Sequence, residues 1–180
     1  MIKRLPTLLI VTVLVTSLFV LGSAVAVAKK VDVTINGNPL NLVIPGGDVN
    51  LTDVTLDGTD QNTTGSLGIF RVIDPRGTGT GWYLTLGSTD FEEVNNPAWT
   101  IPSDGSGFTV TNANLNTVSG NGGVIADTGD LAPGALTILD SPSPLGRGIN
   151  ETNPDVQLQV PAETYVGTYA ATVTGTLTSY

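Results

Sequence analysis

The stretch Arg71–Phe91 reads RVIDPRGTGTGWYLTLGSTDF. Within 21 residues it holds two arginines, two aspartates, four glycines and one of the chain's two tryptophans. Gly77, Gly79 and Gly81 lead straight into Trp82. A glycine run holds a phosphate where it opens a helix, whose first N–H groups bind the anion. Here it opens onto WYLTL, a segment that suits a strand, and no lysine follows, so nucleotide binding is not expected. LGIFRVID runs in, PRGTGTG turns and WYLTL runs out. The glycines permit positive φ and a close approach of backbones. Side chains alternate along a strand, so Trp82 and Leu84 share one face and Tyr83 takes the other. Trp82 is expected in the core, its indole N–H needing a partner. Asp74 and Arg76 flank Pro75 and are expected to form a turn with a weak surface ion pair.

Outward from this stretch, period-two alternation recurs and no convincing helical period appears. Val31–Ile35, Leu40–Ile44, Thr52–Leu56, Phe70–Asp74, Phe108–Thr111, Leu136–Ile138, Val156–Val160 and Val166–Leu177 all read as strands. Turn formers separate them, among them Pro45-Gly46-Gly47, Asp57-Gly58, Asp104-Gly105 and Pro133-Gly134. Asn36-Gly37 is the strongest hairpin signal. SGNGG (119–123) and the proline-rich 141–154 read as loops. Many short strands between frequent turns predict an all-β fold, an antiparallel β-sandwich or partly closed barrel.

The residues of the opening stretch resemble the WxL-domain surface proteins of Gram-positive bacteria. The resemblance rests on Asp74, Arg76, Gly77, Gly79 and Gly81 before the motif, and on Trp82-Tyr83-Leu84 itself. A second family motif matches YAATVTGTL at Tyr169, Val173, Thr174 and Leu177, but Gly175 stands where the family carries tryptophan. The resemblance implies a secreted β-rich domain, non-catalytic, that attaches without a covalent bond to the cell wall, with peptidoglycan or another wall polymer as partner. On the last strand Gly175 shares a face with Tyr169, Val173 and Leu177. The gap it leaves is expected to be filled by Trp82 or another aromatic.

The N-terminus carries Lys3 and Arg4, an apolar block from Leu8 to Leu21, and an A-x-A site at Ala26–Ala28. This is the layout of a signal helix over 1–28, removed on export; the apolar stretch from Leu8 to Ala28, 21 residues, is also long enough to remain as an anchor. The expected product is one all-β domain, 29–180, at the cell surface and off the membrane. The chain has no cysteine and no histidine, which excludes disulfides, Cys–His and Ser–His–Asp chemistry, and thiolate or imidazole metal sites. Removing Lys3 and Arg4 with the leader leaves five cations against sixteen acids, a net −11. Such a surface repels nucleic acid and anionic wall polymers alike. Wall affinity must then come from aromatic and hydrogen-bonding contacts, or from bridging cations.

Scattered carboxylates, including Glu92 and Glu93, do not make a glycosidase pair, because any acidic chain offers such residues. No cofactor is expected. Asp53, Asp57, Asp60 and Asn62 offer oxygen ligands for Ca2+, though not at EF-hand spacing. Trp99, between Pro97 and Pro102, suits either sugar stacking or a plug beneath a loop. An alternative function is a structural subunit that joins other surface proteins, or copies of itself, by donating the N-terminal strand 29–44.

Overall fold

The computed structural model describes residues 32–105, 107–132 and 136–180. The signal segment 1–28, Val31 and the Pro133-Gly134 turn lie outside the described residues. Ile35–Tyr180 forms one compact unit. It is all-β and sandwich-like, with no helix among the described residues.

The strands are β1 (Asn41–Val43), β2 (Gln61–Ser66), β3 (Phe70–Asp74), β4 (Trp82–Ser88), β5 (Phe91–Glu93), β6 (Asn96–Ile101), β7 (Phe108–Asn112), β8 (Leu115–Gly120), β9 (Ile125–Ala126), β10 (Gly129–Asp130), β11 (Leu136–Ser141), β12 (Gly148–Thr152), β13 (Asp155–Val160), β14 (Tyr169–Ala170) and β15 (Val173–Ser179). They form four antiparallel sheets, ordered β1-β3-β12-β8, β10-β7-β13-β2, β15-β4-β11-β9 and β14-β5-β6. Among the described strands only β5 and β6 are neighbours both in sequence and in a ladder. Every other pairing crosses intervening chain.

The inward residues of all four sheets meet in one core. Phe70 and Val72 come from β3, Trp82, Leu84 and Leu86 from β4, Ile138 and Leu139 from β11, Phe108 and Val110 from β7, and Val156 and Leu158 from β13. Phe91 meets Phe108 edge-on, ring centroids 4.9 Å apart, the arrangement that ring quadrupoles favour.

Several expectations are corrected. Asn36-Gly37 makes no hairpin. Residues 32–40 carry no strand, and Val33 and Ile35 are exposed. Gly37 instead lies so close to the Arg76 carbonyl that a Cβ would clash, and the Asn38 N–H donates to the Pro75 carbonyl at 3.3 Å. The glycine serves a close approach rather than a turn. Thr52–Leu56 is not a strand, although Val54 and Leu56 are half-buried and Asp53 and Thr55 exposed; it lies against β2 through the bond from the Thr52 N–H to the Thr64 carbonyl, 3.3 Å. The 141–154 segment is not all loop, because β12 runs through it between β3 and β8. Its inward residues are polar. Asn150 donates to the Gly146 carbonyl and accepts from the Thr117 hydroxyl, and Thr152 donates to the Ala113 carbonyl. A buried strand that satisfies its core with hydrogen bonds shows no hydrophobic alternation.

Candidate functional site

The glycine loop and β4 form one locked corner. Gly77 and Gly79 adopt φ of 72° and 73°, conformations that other residues rarely take. Gly81 lies so close to the Ser141 carbonyl that any side chain would collide. Asp74 points inward, only 2 % exposed, and takes Arg76 in a two-pronged grip: Nε to Oδ1 at 2.8 Å and Nη2 to Oδ2 at 3.0 Å. The same guanidinium donates to the Thr80 carbonyl at 2.6 Å and to the Ser179 hydroxyl at 2.8 Å. Arg76 thus ties the loop to the closing strand β15. Burial by itself would raise the Asp74 pKa, but the Arg76 hydrogen bonds and charge outweigh it and hold the carboxyl below its ordinary value.

Trp82 is fully buried, and its indole N–H donates to the Gly146 carbonyl at 3.2 Å. The two halves of the sequence pattern meet as neighbouring strands: Leu177 opposes Leu84, Gly175 opposes Leu86, and Val173 opposes Ser88. Thr174 faces outward and is exposed. Tyr169 stands apart, on β14 in another sheet. At Gly175 a Cβ would meet Leu86 Cδ2 and Phe70 Cε1 at 3.4 Å and Ile44 Cδ1 at 3.6 Å. The aromatic over the glycine is Phe70; Trp82 lies along β4 at the register of Ser179. The corner is a structural device. Its side chains are packed or paired with one another, and it offers no ring to solvent except at its edge, where Tyr180 meets Tyr83 at 5.3 Å and donates to Asp140 at 2.7 Å.

The surface offers a second arrangement. Trp99 on β6 stacks on Tyr165, ring centroids 4.3 Å apart and planes 17° from parallel. Tyr165 is 60 % exposed and its neighbour Val166 is 88 % exposed. The Tyr165 loop is fixed from below: the Tyr169 hydroxyl donates to the Tyr165 carbonyl at 2.9 Å, and the Val94 N–H to the Thr168 carbonyl at 2.9 Å. Glu93 secures the turn into β6. It accepts from the Asn95 and Asn96 N–H groups at 2.9 and 2.6 Å. Burial would raise its pKa, but these bonds win and lower it. Beside the stacked pair runs a groove of about 450 Å³, with Val54, Leu56, Ile101 and Val160 along it and hydroxyls from Thr52 and Thr164. None of its lining side chains is charged. The ledge can receive the flat face of a neutral ring and bond its hydroxyls, and its lining brings no carboxylate to a substrate.

The calcium candidates do not converge. Asp57 accepts from the Thr59 N–H and hydroxyl at 2.9 and 2.7 Å, and Asp60 accepts from the Ala162 N–H at 2.9 Å. Among the described residues no group of three acidic side chains is placed to hold a metal. Sequence reasoning found Trp99 but not Tyr165, which reaches it from a distant loop. The fold and this ledge describe an all-β domain with an aromatic surface. Neither a protein-family model nor a curated protein matches the chain.

Proposed function

We propose that the protein is an exported, non-catalytic surface protein that associates with cell-wall glycan, peptidoglycan being the first ligand to test. The observation that carries this reading is the stacked Trp99–Tyr165 pair beside an uncharged groove. Exposed aromatic faces grouped with apolar surface mark interaction sites. A chain of net charge −9 with its leader included gains nothing by charge from an anionic polymer, so a neutral stacking surface is the fitting means of attachment. The leader-like N-terminus and the resemblance of the β4 and β15 patterns to WxL domains agree with that destination. In this reading the Trp82 corner holds the scaffold and the ledge makes the contact.

Sedimentation with purified peptidoglycan tests it. Trp99→Ala and Tyr165→Ala should each raise the apparent Kd, read from pelleted fraction against peptidoglycan concentration, by about tenfold, the loss of roughly 1.4 kcal/mol of binding. Circular dichroism should stay unchanged, and added salt or chelator should not release the wild-type protein. Equal pelleting of the wild type and both variants would remove the ledge from the account. Release by chelator would assign attachment to bridging cations.

A further inference from the structure

The segment before β2 is fastened to the body in an unusual way. β1 adds three residues to the outer edge of β3, in the register Asn41 to Ile73, Leu42 to Val72 and Val43 to Arg71. Upstream, one hydrogen bond, Asn38 to Pro75, and the Gly37 contact continue this line. Ile35 is 86 % exposed, Val43 44 % and Ile44 49 %, so only Leu40 and Leu42 of the segment's aliphatic side chains turn inward, half-buried against the core. Downstream it passes into Gly46-Gly47, where a Cβ on either residue would meet nothing within 4 Å. Residues 46–50 are all exposed. Beneath this connection lies a gap of about 320 Å³, with Ile44, Val49 and Leu51 on one side and Phe70, Phe91 and Phe108 on the other. A gap forfeits the dispersion contacts that hold a close-packed element.

We infer that residues 35–43 are an exchangeable arm, and that the β3 edge of a second copy of this chain is its alternative seat. The contacts made in the exchanged form are those already described within one chain, so the exchange costs association entropy and hinge rearrangement and sacrifices no pairing. With its arm withdrawn, β3 bares a row of N–H and C=O groups, the kind of edge that recruits a strand. The register selects the occupant. The seat accepts Gly37 where no side chain fits against Arg76 and takes Leu42, half-buried, opposite Val72. The same chain supplies that pattern. Reciprocal exchange gives a closed dimer, and one-directional exchange gives a run of copies.

The absence of cysteine makes the test direct. Val43 and Arg71 are cross-strand partners on the exposed face, at a separation a disulfide can span. Two full-length chains are prepared, one with Val43→Cys and one with Arg71→Cys, then mixed at rising concentration and oxidised. The expected result is a mixed disulfide dimer, roughly tenfold more abundant than that from Arg71→Cys with Val118→Cys, an exposed β8 position that reports random collision. Deleting Gly46-Gly47 should raise the mixed fraction, because a shortened hinge strains the arm's own seat. A chain carrying both cysteines calibrates the geometry. If it closes within itself while the mixed chains never exceed the collision control at any concentration, the arm does not leave and the inference is overturned. If the doubly substituted chain fails to close as well, β1 does not pair with β3 in this register and the inference is likewise overturned. Neither outcome depends on glycan binding.

Discussion

At Gly175 one missing side chain is accounted for by three others. Phe70, Leu86 and Ile44 all lie at ordinary contact distance from where a Cβ would stand. A methyl group fits there, so Gly175→Ala should be neutral or stabilise by up to about 1 kcal/mol, since alanine has less chain freedom to lose on folding. An indole does not fit. Gly175→Trp should destabilise by about 1–3 kcal/mol, the usual cost of overpacking, and should displace Ile44. Urea denaturation of the two variants checks this; a tryptophan variant as stable as wild type would mean that the space is not filled. The expectation that an aromatic covers this glycine was legible in the sequence because strand alternation fixes which residues share a face. Which aromatic covers it was not, because β3 and β15 belong to different sheets and local pattern says nothing about how sheets face each other.

Among the elements, β3, β4, β7, β11 and β13 were readable because each carries at least two buried apolar residues, while the buried polar ones, Asp74, Ser88 and Ser141, stand at strand ends. β2 and β12 were not readable, because threonine and asparagine face inward there and are satisfied by hydrogen bonds. The ledge was half legible: Trp99 stood out by composition, whereas Tyr165 acquires meaning only once the loop before β14 is brought to β6. The clamp that joins the glycine loop to β15 carries its own prediction. The Asp74 pKa is depressed in the folded chain, so the folded state binds fewer protons than the unfolded one in the interval just below the ordinary carboxylate value of 3.8. Stability from this pair is therefore complete above about pH 4 and is lost as the pH falls through the folded value. Arg76→Met should cost about 3 kcal/mol at pH 7 by stranding a buried carboxylate. Asp74→Asn should flatten the acid limb of the stability profile, measured by denaturant midpoints between pH 2 and 7. An unchanged acid limb would assign the acid sensitivity to other carboxylates, Glu93 first among them.

For the whole molecule, topology sets the kinetics. Among the described residues, ten of the eleven strand pairings join segments that are not successive strands. Loop closure must precede the reward from such contacts, and folds dominated by non-local pairing form slowly. Refolding from urea, followed by stopped-flow, should take milliseconds to seconds or longer, and a sub-millisecond phase carrying the full amplitude would contradict this topology. The molecule also divides its two tryptophans between contrasting surroundings. Trp82 is sealed in the interior, whereas Trp99 lies on the outer layer against a tyrosine. The protein therefore carries two native fluorophores with separate tasks. Short-wavelength emission from the sealed indole follows global unfolding, and under the proposed function quenching of the outer one should follow glycan binding, so a single optical titration would separate loss of shape from occupancy of the ledge.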